Sequence, residues 1–235
     1  MIKLISACNR EPAYHELADV SRSSIQKYCA RHSFPFAFHE ITQTGRPASW
    51  YKLKILREEM EKGDAEYYLW VDVDAVVFNL DYDLRALTRS GKEIYLAKDD
   101  TNINCGVLLL RKSAFNVKLL ETLWGMTHCL DHPWWEQQAL IELIEADHEG
   151  IRQRIEYVPQ RIFNAYIYKF YGKKYAAGEF NRDSFVVHFP GLPLATRLRR
   201  MNLACRYLQP WRRFGLVTGR FFAWCGANGN YAAPD

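Results

Sequence analysis

Strand-like and helix-like apolar patterns alternate along most of this chain, and that alternation limits its fold more than any other feature. Residues 2–7 form a short apolar run, and Val20, Ile25, Tyr28 and Cys29 fall on a rough helical stripe. Residues 35–41 read as a second strand. Trp50, Leu53, Leu56 and Met60 mark one face of a helix that Ser49 can cap and Gly63 can end. Tyr67–Val71 is a bulky apolar run suited to a central strand. Further strands are expected at 93–97, 106–110, 155–158 and 185–189, and helices at 114–124 and 135–146. Trp135, Ala139, Leu140, Leu143 and Ile144 would face the core in the second of these helices. The pattern predicts an α/β fold with a mostly parallel central sheet flanked by helices. Such sheets bind ligands at the carboxyl ends of their strands.

The 235 residues suffice for one α/β domain and are tight for two. Hydrophobic residues make up 49%, as in a globular chain. Charge divides the chain. Seven arginines and one acid give residues 192–235 a net charge of +6, which against the total of +4 leaves residues 1–191 at −2. The division places a catalytic domain at 1–191 and a basic extension at 192–235, and argues against a nucleic-acid partner. None of the six cysteines stands in a CxxC pair, so a zinc site is not expected and reduced, partly buried thiols are. The opening apolar run is too short for a signal peptide, and no stretch approaches a membrane span of ~18–20 apolar residues. A cytoplasmic location follows as an expectation.

Asp72-Val73-Asp74 stands where the central strand run ends. The period of two puts both carboxylates on one side of an extended chain. Two hard oxygen ligands so placed can hold Mn²⁺ or Mg²⁺ and leave positions for phosphate oxygens, and the cation then stabilises charge on a leaving diphosphate. Uncompensated, two such carboxylates beside a buried strand would repel each other and lose hydration. A second acidic pair, Asp81-Tyr82-Asp83, reads as a solvated turn. Downstream, Asn102-Ile103-Asn104-Cys105-Gly106 leads a polar turn into an apolar strand through a glycine, which would let backbone approach a ligand closely; an ordinary strand entry explains it equally well. Trp134-Trp135-Glu136-Gln137-Gln138 opens a helix with acidic and aromatic residues, and His188 stands at a strand's carboxyl end.

In order, these segments resemble family 34 of the glycosyltransferases, which includes fungal α-galactosyl- and α-mannosyltransferases and plant xyloglucan xylosyltransferases. The matching pieces are Trp50-Tyr51-Lys52-Leu53, Trp70-Val71-Asp72-Val73-Asp74-Ala75, Asn104-Cys105-Gly106-Val107, Glu136-Gln137-Gln138-Ala139-Leu140, Gln160-Arg161-Ile162-Phe163-Asn164 and His188-Phe189-Pro190-Gly191. The resemblance covers roughly residues 1–191 and implies a GT-A fold and a retaining transfer from a nucleotide-diphosphate sugar, a UDP-sugar before a GDP-sugar, to a glycan or glycolipid hydroxyl. It implies Asp74 and His188 as metal ligands, and Asp72 as a ligand of the metal or the ribose. Val73, Asn104, Gly106 and Gly191 would belong to the donor site. Glu136 and Gln137 would lie near the anomeric carbon. Gln137 would stabilise oxocarbenium charge through its carbonyl oxygen, and Glu136 is the alternative, a nucleophile for double displacement. Lys52 is a candidate phosphate contact, with a solvated lysine as the plainer explanation. The chain departs from the family's pattern at Leu192, where relatives often have cysteine, in showing no anchor and stem ahead of its first strand, and in its arginine-rich tail.

In that tail Leu194, Leu198, Met201, Cys205 and Leu208 share one helical face, with Arg197, Arg199, Arg200 and Arg206 off its centre. Such a helix suits peripheral contact with an anionic membrane, or docking on the domain. Two rival functions share features with this sequence. A sugar-phosphate nucleotidyltransferase would carry a glycine-rich basic loop after the first strand, where Cys8-Asn9-Arg10-Glu11-Pro12 has no glycine. A membrane-surface adaptor with a non-catalytic nucleotide pocket would bind without turnover.

Overall fold

The computed structural model describes residues 1–43, 45–99, 101–167, 180–181 and 183–208, with residues 206–208 described by backbone alone. Eight strands and seven helices follow one another along these residues. They are β1 (Ile2–Asn9), α1 (Pro12–His32), β2 (Phe36–Ile41), α2 (Tyr51–Lys62), β3 (Tyr67–Val71), β4 (Ala75–Val77), β5 (Ile94–Lys98), β6 (Ile103–Arg111), α3 (Ala114–Gly125), α4 (Trp135–Glu145), α5 (Ile151–Arg154), β7 (Ile155–Val158), α6 (Gln160–Phe163), β8 (Val186–His188) and α7 (Leu194–Leu208). Six strands form the main sheet in the order β2-β1-β3-β6-β5-β7, and β4 pairs with β8 in a small second sheet.

The main sheet is mostly parallel, as the alternation predicts, with β6 running against its neighbours β3 and β5. The reversal has a local cause. Only residues 99–102 join β5 to β6, and Asp99 N–H donates to the Asn102 carbonyl at 2.8 Å. A hairpin fits in that length; a parallel crossover does not. The ladder between β5 and β6 then shifts, from Leu96 opposite Leu108 to Ala97 opposite Asn104. This bulge leaves backbone groups of Cys105 and Gly106 outside the β5 ladder.

Apolar residues on both sheet faces are covered. One cluster packs Ile5, Tyr68, Trp70 and Leu108 against Trp50, Leu56 and Met60 and against α3 and α4. The other packs Leu4, Leu69, Val71 and Leu109 against Ile25, Tyr28 and Phe185. Ser49 does not cap α2; it lies in a 3-10 turn ahead of it, and Gly63 ends the helix at φ 73°. Ile144 packs half-buried against the same core, whereas Trp135 does not lie on the buried face of α4. Glu136, Ala139, Leu140, Ile141 and Leu143 do, while Trp135 is 45% exposed. The Asp81–Asp83 turn is surface structure: Asp81 pairs with Arg31, and Asp83 caps the turn after it by accepting from Arg85 N–H at 3.1 Å. Helix α7 docks. Met201 and Ala204 are buried in a third cluster with Leu17, Val76 and Phe189, and Leu194, Leu198 and Cys205 pack at its edge. Leu208, which shares that face in the sequence, has its side chain outside the described residues. The rest of the tail, from 209, lies outside the described residues, and among those described no helix is long and apolar enough to cross a membrane.

Candidate functional site

At the carboxyl end of β3 the chain does not stay extended through the acidic pair. Ala75 N–H donates to the Asp72 carbonyl at 3.0 Å, a turn that carries the chain from β3 into β4. A turn, and not the period of an extended strand, brings the two carboxylates together. The β4–β8 ladder sets Ala75 opposite His188. Oxygens of Asp72 and Asp74 and a ring nitrogen of His188 then lie within 4.8 Å of one another.

His188 is held on three sides. Its Nε2 is 3.0 Å from Asp74 Oδ1, and its Nδ1 is 2.9 Å from Asn164 Oδ1. The ring lies over Gly106, where a Cβ would come within 2.2 Å of His188 Cε1. Gly106 is expected from the sequence to admit a ligand; in the fold it admits the imidazole. With Asn164 Oδ1 as the acceptor, Nδ1 donates to it and Nε2 is left facing the Asp74 carboxylate. A cation between the two groups would satisfy that arrangement. The donor set of two carboxylates and one imidazole fits Mn²⁺ or Mg²⁺.

Asp74 has a further partner that the sequence reading left in the tail. Arg197 on α7 places Nη1 3.1 Å from Asp74 Oδ2 and donates through Nη2 to the Leu192 carbonyl at 3.0 Å. The two acids are pushed in opposite directions. Burial raises the Asp72 carboxyl above the ordinary carboxylate range and the charge on Asp74 adds to this, while Lys52 pulls back. Burial acts on Asp74 too, but His188 and Arg197 outweigh it and hold that carboxyl well below the ordinary range.

Lys52 is not solvated. It is 2% exposed, and its Nζ lies 2.9 Å from Glu136 Oε1, 3.2 Å from Asp72 Oδ1 and 3.2 Å from the Cys105 carbonyl. An ammonium has three donors, and these partners engage all of them, so a phosphate contact by Lys52 is not what the structure shows. Burial would lower its affinity for the proton, but Asp72 and Glu136 more than reverse this and keep it charged. Glu136 is buried against it, and among the described residues its Oε2 has no hydrogen-bond partner. Gln137 Oε1 accepts from Cys105 N–H at 3.1 Å. The backbone that the β6 bulge leaves outside the ladder is thus spoken for: Gln137 takes the Cys105 N–H, Lys52 its carbonyl, Asn104 Oδ1 the Gly106 N–H at 2.9 Å, and Asp72 N–H donates to the Gly106 carbonyl at 2.8 Å. Asn104 also donates to the Tyr166 hydroxyl at 3.0 Å, and that hydroxyl donates to Asp99 at 2.8 Å. Val73 follows Asp72 in the turn, and Gly191 has φ 70° ahead of α7. A shallow groove between α2 and α3, lined by Leu53, Arg57, Leu120 and Trp124, holds none of these groups.

Sequence reasoning missed Arg197, Tyr166 and Asp99, and quoted Asn164 without giving it a role. Arg197 alone had a signal, a basic residue a few positions beyond the His188 segment, but it was absorbed into the charge of the tail.

A single α/β layer structure with an acidic turn at the end of its central strand is the GT-A glycosyltransferase fold. It is shared with a glycosyltransferase involved in glycosylation of the major capsid of PBCV-1, at TM-score 0.68 and 19% identity over 86% of this chain and 98% of that one. It is shared also with the galactosyltransferase LgtC, at TM-score 0.52 and 13% identity over 90% and 99% of the two chains. The family described as the galactosyl transferase GMA12/MNN10 family matches residues 1–90 and 85–195, and the chain belongs to it. Among its relatives are an uncharacterised α-1,2-galactosyltransferase of Schizosaccharomyces pombe, 26% identical over 67% of this chain and 57% of the relative, and a probable α-1,6-mannosyltransferase of Saccharomyces cerevisiae, 23% identical over 63% and 47%. The chain spans about half the length of the curated relatives it matches.

Proposed function

We propose that this chain transfers a glycosyl unit from a nucleotide-diphosphate sugar, UDP-linked before GDP-linked, to a glycan hydroxyl, with retention. The observation that carries the proposal is the convergence of Asp72, Asp74 and His188 within 4.8 Å, with His188 oriented by Asn164. These three residues would hold a divalent cation, whose contribution when bound is to neutralise charge on the departing diphosphate. Arg197, beside Asp74, supplies a second positive charge in the role first assigned to Lys52. Lys52 instead holds Glu136 and Asp72 in place through its ion pairs with both. Paired with Lys52 and buried, Glu136 is poorly disposed to act as a nucleophile, which supports direct attack by the acceptor on the face the diphosphate leaves. Gln137 is fixed at one lone pair by Cys105 N–H and keeps the other for charge developing on the sugar.

Trp134 and Trp135 would receive the acceptor. They are 41% and 45% exposed and directly precede Glu136 and Gln137. Trp135 has φ 44°, a costly conformation for a bulky residue. Exposed aromatic faces beside a donor site suit stacking on a sugar ring.

The test is thermal stability of the full chain with UDP and GDP, each with and without Mn²⁺. Stabilisation is expected only with UDP and Mn²⁺ together, by about 2.7 kcal/mol at a hundredfold excess over the dissociation constant, and is expected to vanish in Asp74→Ala. No shift with either nucleotide, or a full shift in Asp74→Ala, would overturn the site.

A further inference from the structure

The absence of CxxC pairs removed zinc from expectation, yet the fold assembles a donor set by another route. We propose that His128, Cys129 and Glu142 form a transition-metal site of zinc type, separate from the acidic pair at the end of β3. His128 and Cys129 close the 3-10 turn Thr127–Cys129 between α3 and α4, and Glu142 comes from the middle of α4. Their ligand atoms lie within 4.8 Å of one another.

The three ligand atoms stand close enough to be gathered around one ion. His128 Nε2 is 2.8 Å from Glu142 Oε2, and Cys129 Sγ is 3.5 Å from Glu142 Oε1. Metal bonds of about 2.0–2.3 Å to N, O and S give ligand-to-ligand edges of roughly 3.3–3.7 Å, so the His128 nitrogen must draw back by about half an ångström and the Glu142 carboxylate must turn one oxygen toward both partners. Thiolate, imidazole and carboxylate together select zinc over magnesium or calcium. Glu142 is further held by Gln138 Nε2 at 3.2 Å, the kind of outer hydrogen bond that orients a ligating carboxylate. Cys129 is 2% exposed, while the His128 and Glu142 side chains are 62% and 37% exposed. The sulfur therefore faces inward and the other two ligands open to solvent, which gives an ion a way in.

An exposed His–Glu pair alone is worth little and needs no thiol. Here the buried thiol is turned onto the same carboxylate. On binding, the sulfur–metal bond forms as the Cys129 thiol releases its proton to water, with no change of oxidation state. Three protein ligands leave a fourth position for water. The bound ion would clamp the 127–129 turn to α4, the helix that carries Glu136 and Gln137 into the donor site.

Cobalt reports on this site without any assumption about glycosyl transfer, because only a thiolate ligand gives a sulfur-to-cobalt charge-transfer band, and the site at Asp72, Asp74 and His188 has no thiol. The full chain titrated with Co²⁺ should develop that band and lose it on adding Zn²⁺. The band should persist in Asp74→Ala and disappear in Cys129→Ser. In His128→Ala, at an exposed position that folding tolerates, cobalt affinity should fall by at least about tenfold, the scale seen when even an outer-shell partner is lost. No band in the wild-type chain, or an unchanged band in Cys129→Ser, would overturn the proposal and leave the donor site untouched.

Discussion

At the scale of single residues, the site rests on the contact between Gly106 and His188. A methyl group at 106 would sit 2.2 Å from the imidazole, far inside contact distance, so the ring must move or the bulge must deform. Gly106→Ala should cost about 1–3 kcal/mol, as overpacking does, and should abolish the joint nucleotide and metal stabilisation. The cause can be isolated. In a His188→Ala background the same glycine substitution should cost little stability, because the obstructing ring is gone, while ligand binding stays lost. Urea unfolding of the four chains measures the coupling. Additive costs would mean that the ring is not what excludes a side chain at 106.

Among the elements, β1 and α2 are joined by charge as well as by apolar packing. Lys3 on β1 is buried and pairs with Glu59 on α2 at 2.6 Å, and with Asp64 just beyond that helix. Glu59 is fully buried, and His39 from β2 and Lys62 also face it. Lys3→Met should destabilise the protein by about 3 kcal/mol, the lower end for breaking a buried pair, because Lys62 and His39 remain. The pH dependence has a definite sign. Burial works to raise the Glu59 carboxyl, but Lys3 and Lys62 prevail and hold it below its ordinary value. Its contribution is therefore complete above the unfolded value of about 4.3 and is lost as pH falls through the lower folded value. Urea midpoints measured from pH 6 down to pH 3 should fall less steeply in Glu59→Gln than in the wild type. Equal slopes would mean that other carboxylates govern acid unfolding.

For the whole molecule, α7 decides how the chain closes on itself. It covers α1 and β4 with Met201 and Ala204 and sends Arg197 to Asp74, so one helix serves both the third apolar cluster and the acidic turn after β3. Met201→Ala should cost about 2–5 kcal/mol, the usual penalty for emptying a core methionine site. A helix seated on a membrane instead would leave the stability of the soluble chain unchanged and shift liposome binding. Urea unfolding and liposome sedimentation of that variant separate the two. Much of this molecule was legible in one dimension because its signals are local. The apolar run Tyr67–Val71, the period of α2 with Gly63 at its end, and Asp72-Val73-Asp74 at a strand terminus depend on neighbours along the chain. Other features depend on which distant segments meet. Lys52 reads as solvated until Asp72 and Glu136 arrive on either side of it. Arg197 reads as tail charge until α7 folds back. His128 and Cys129 carry no metal spacing until α4 brings Glu142 alongside. The sequence by itself determined the layers and the place of the acidic pair at a strand's end, because periodicity and chain breaks are properties of adjacent residues. Only the tertiary structure decided which charges are buried together, because burial and pairing are set by contacts that sequence separation does not encode.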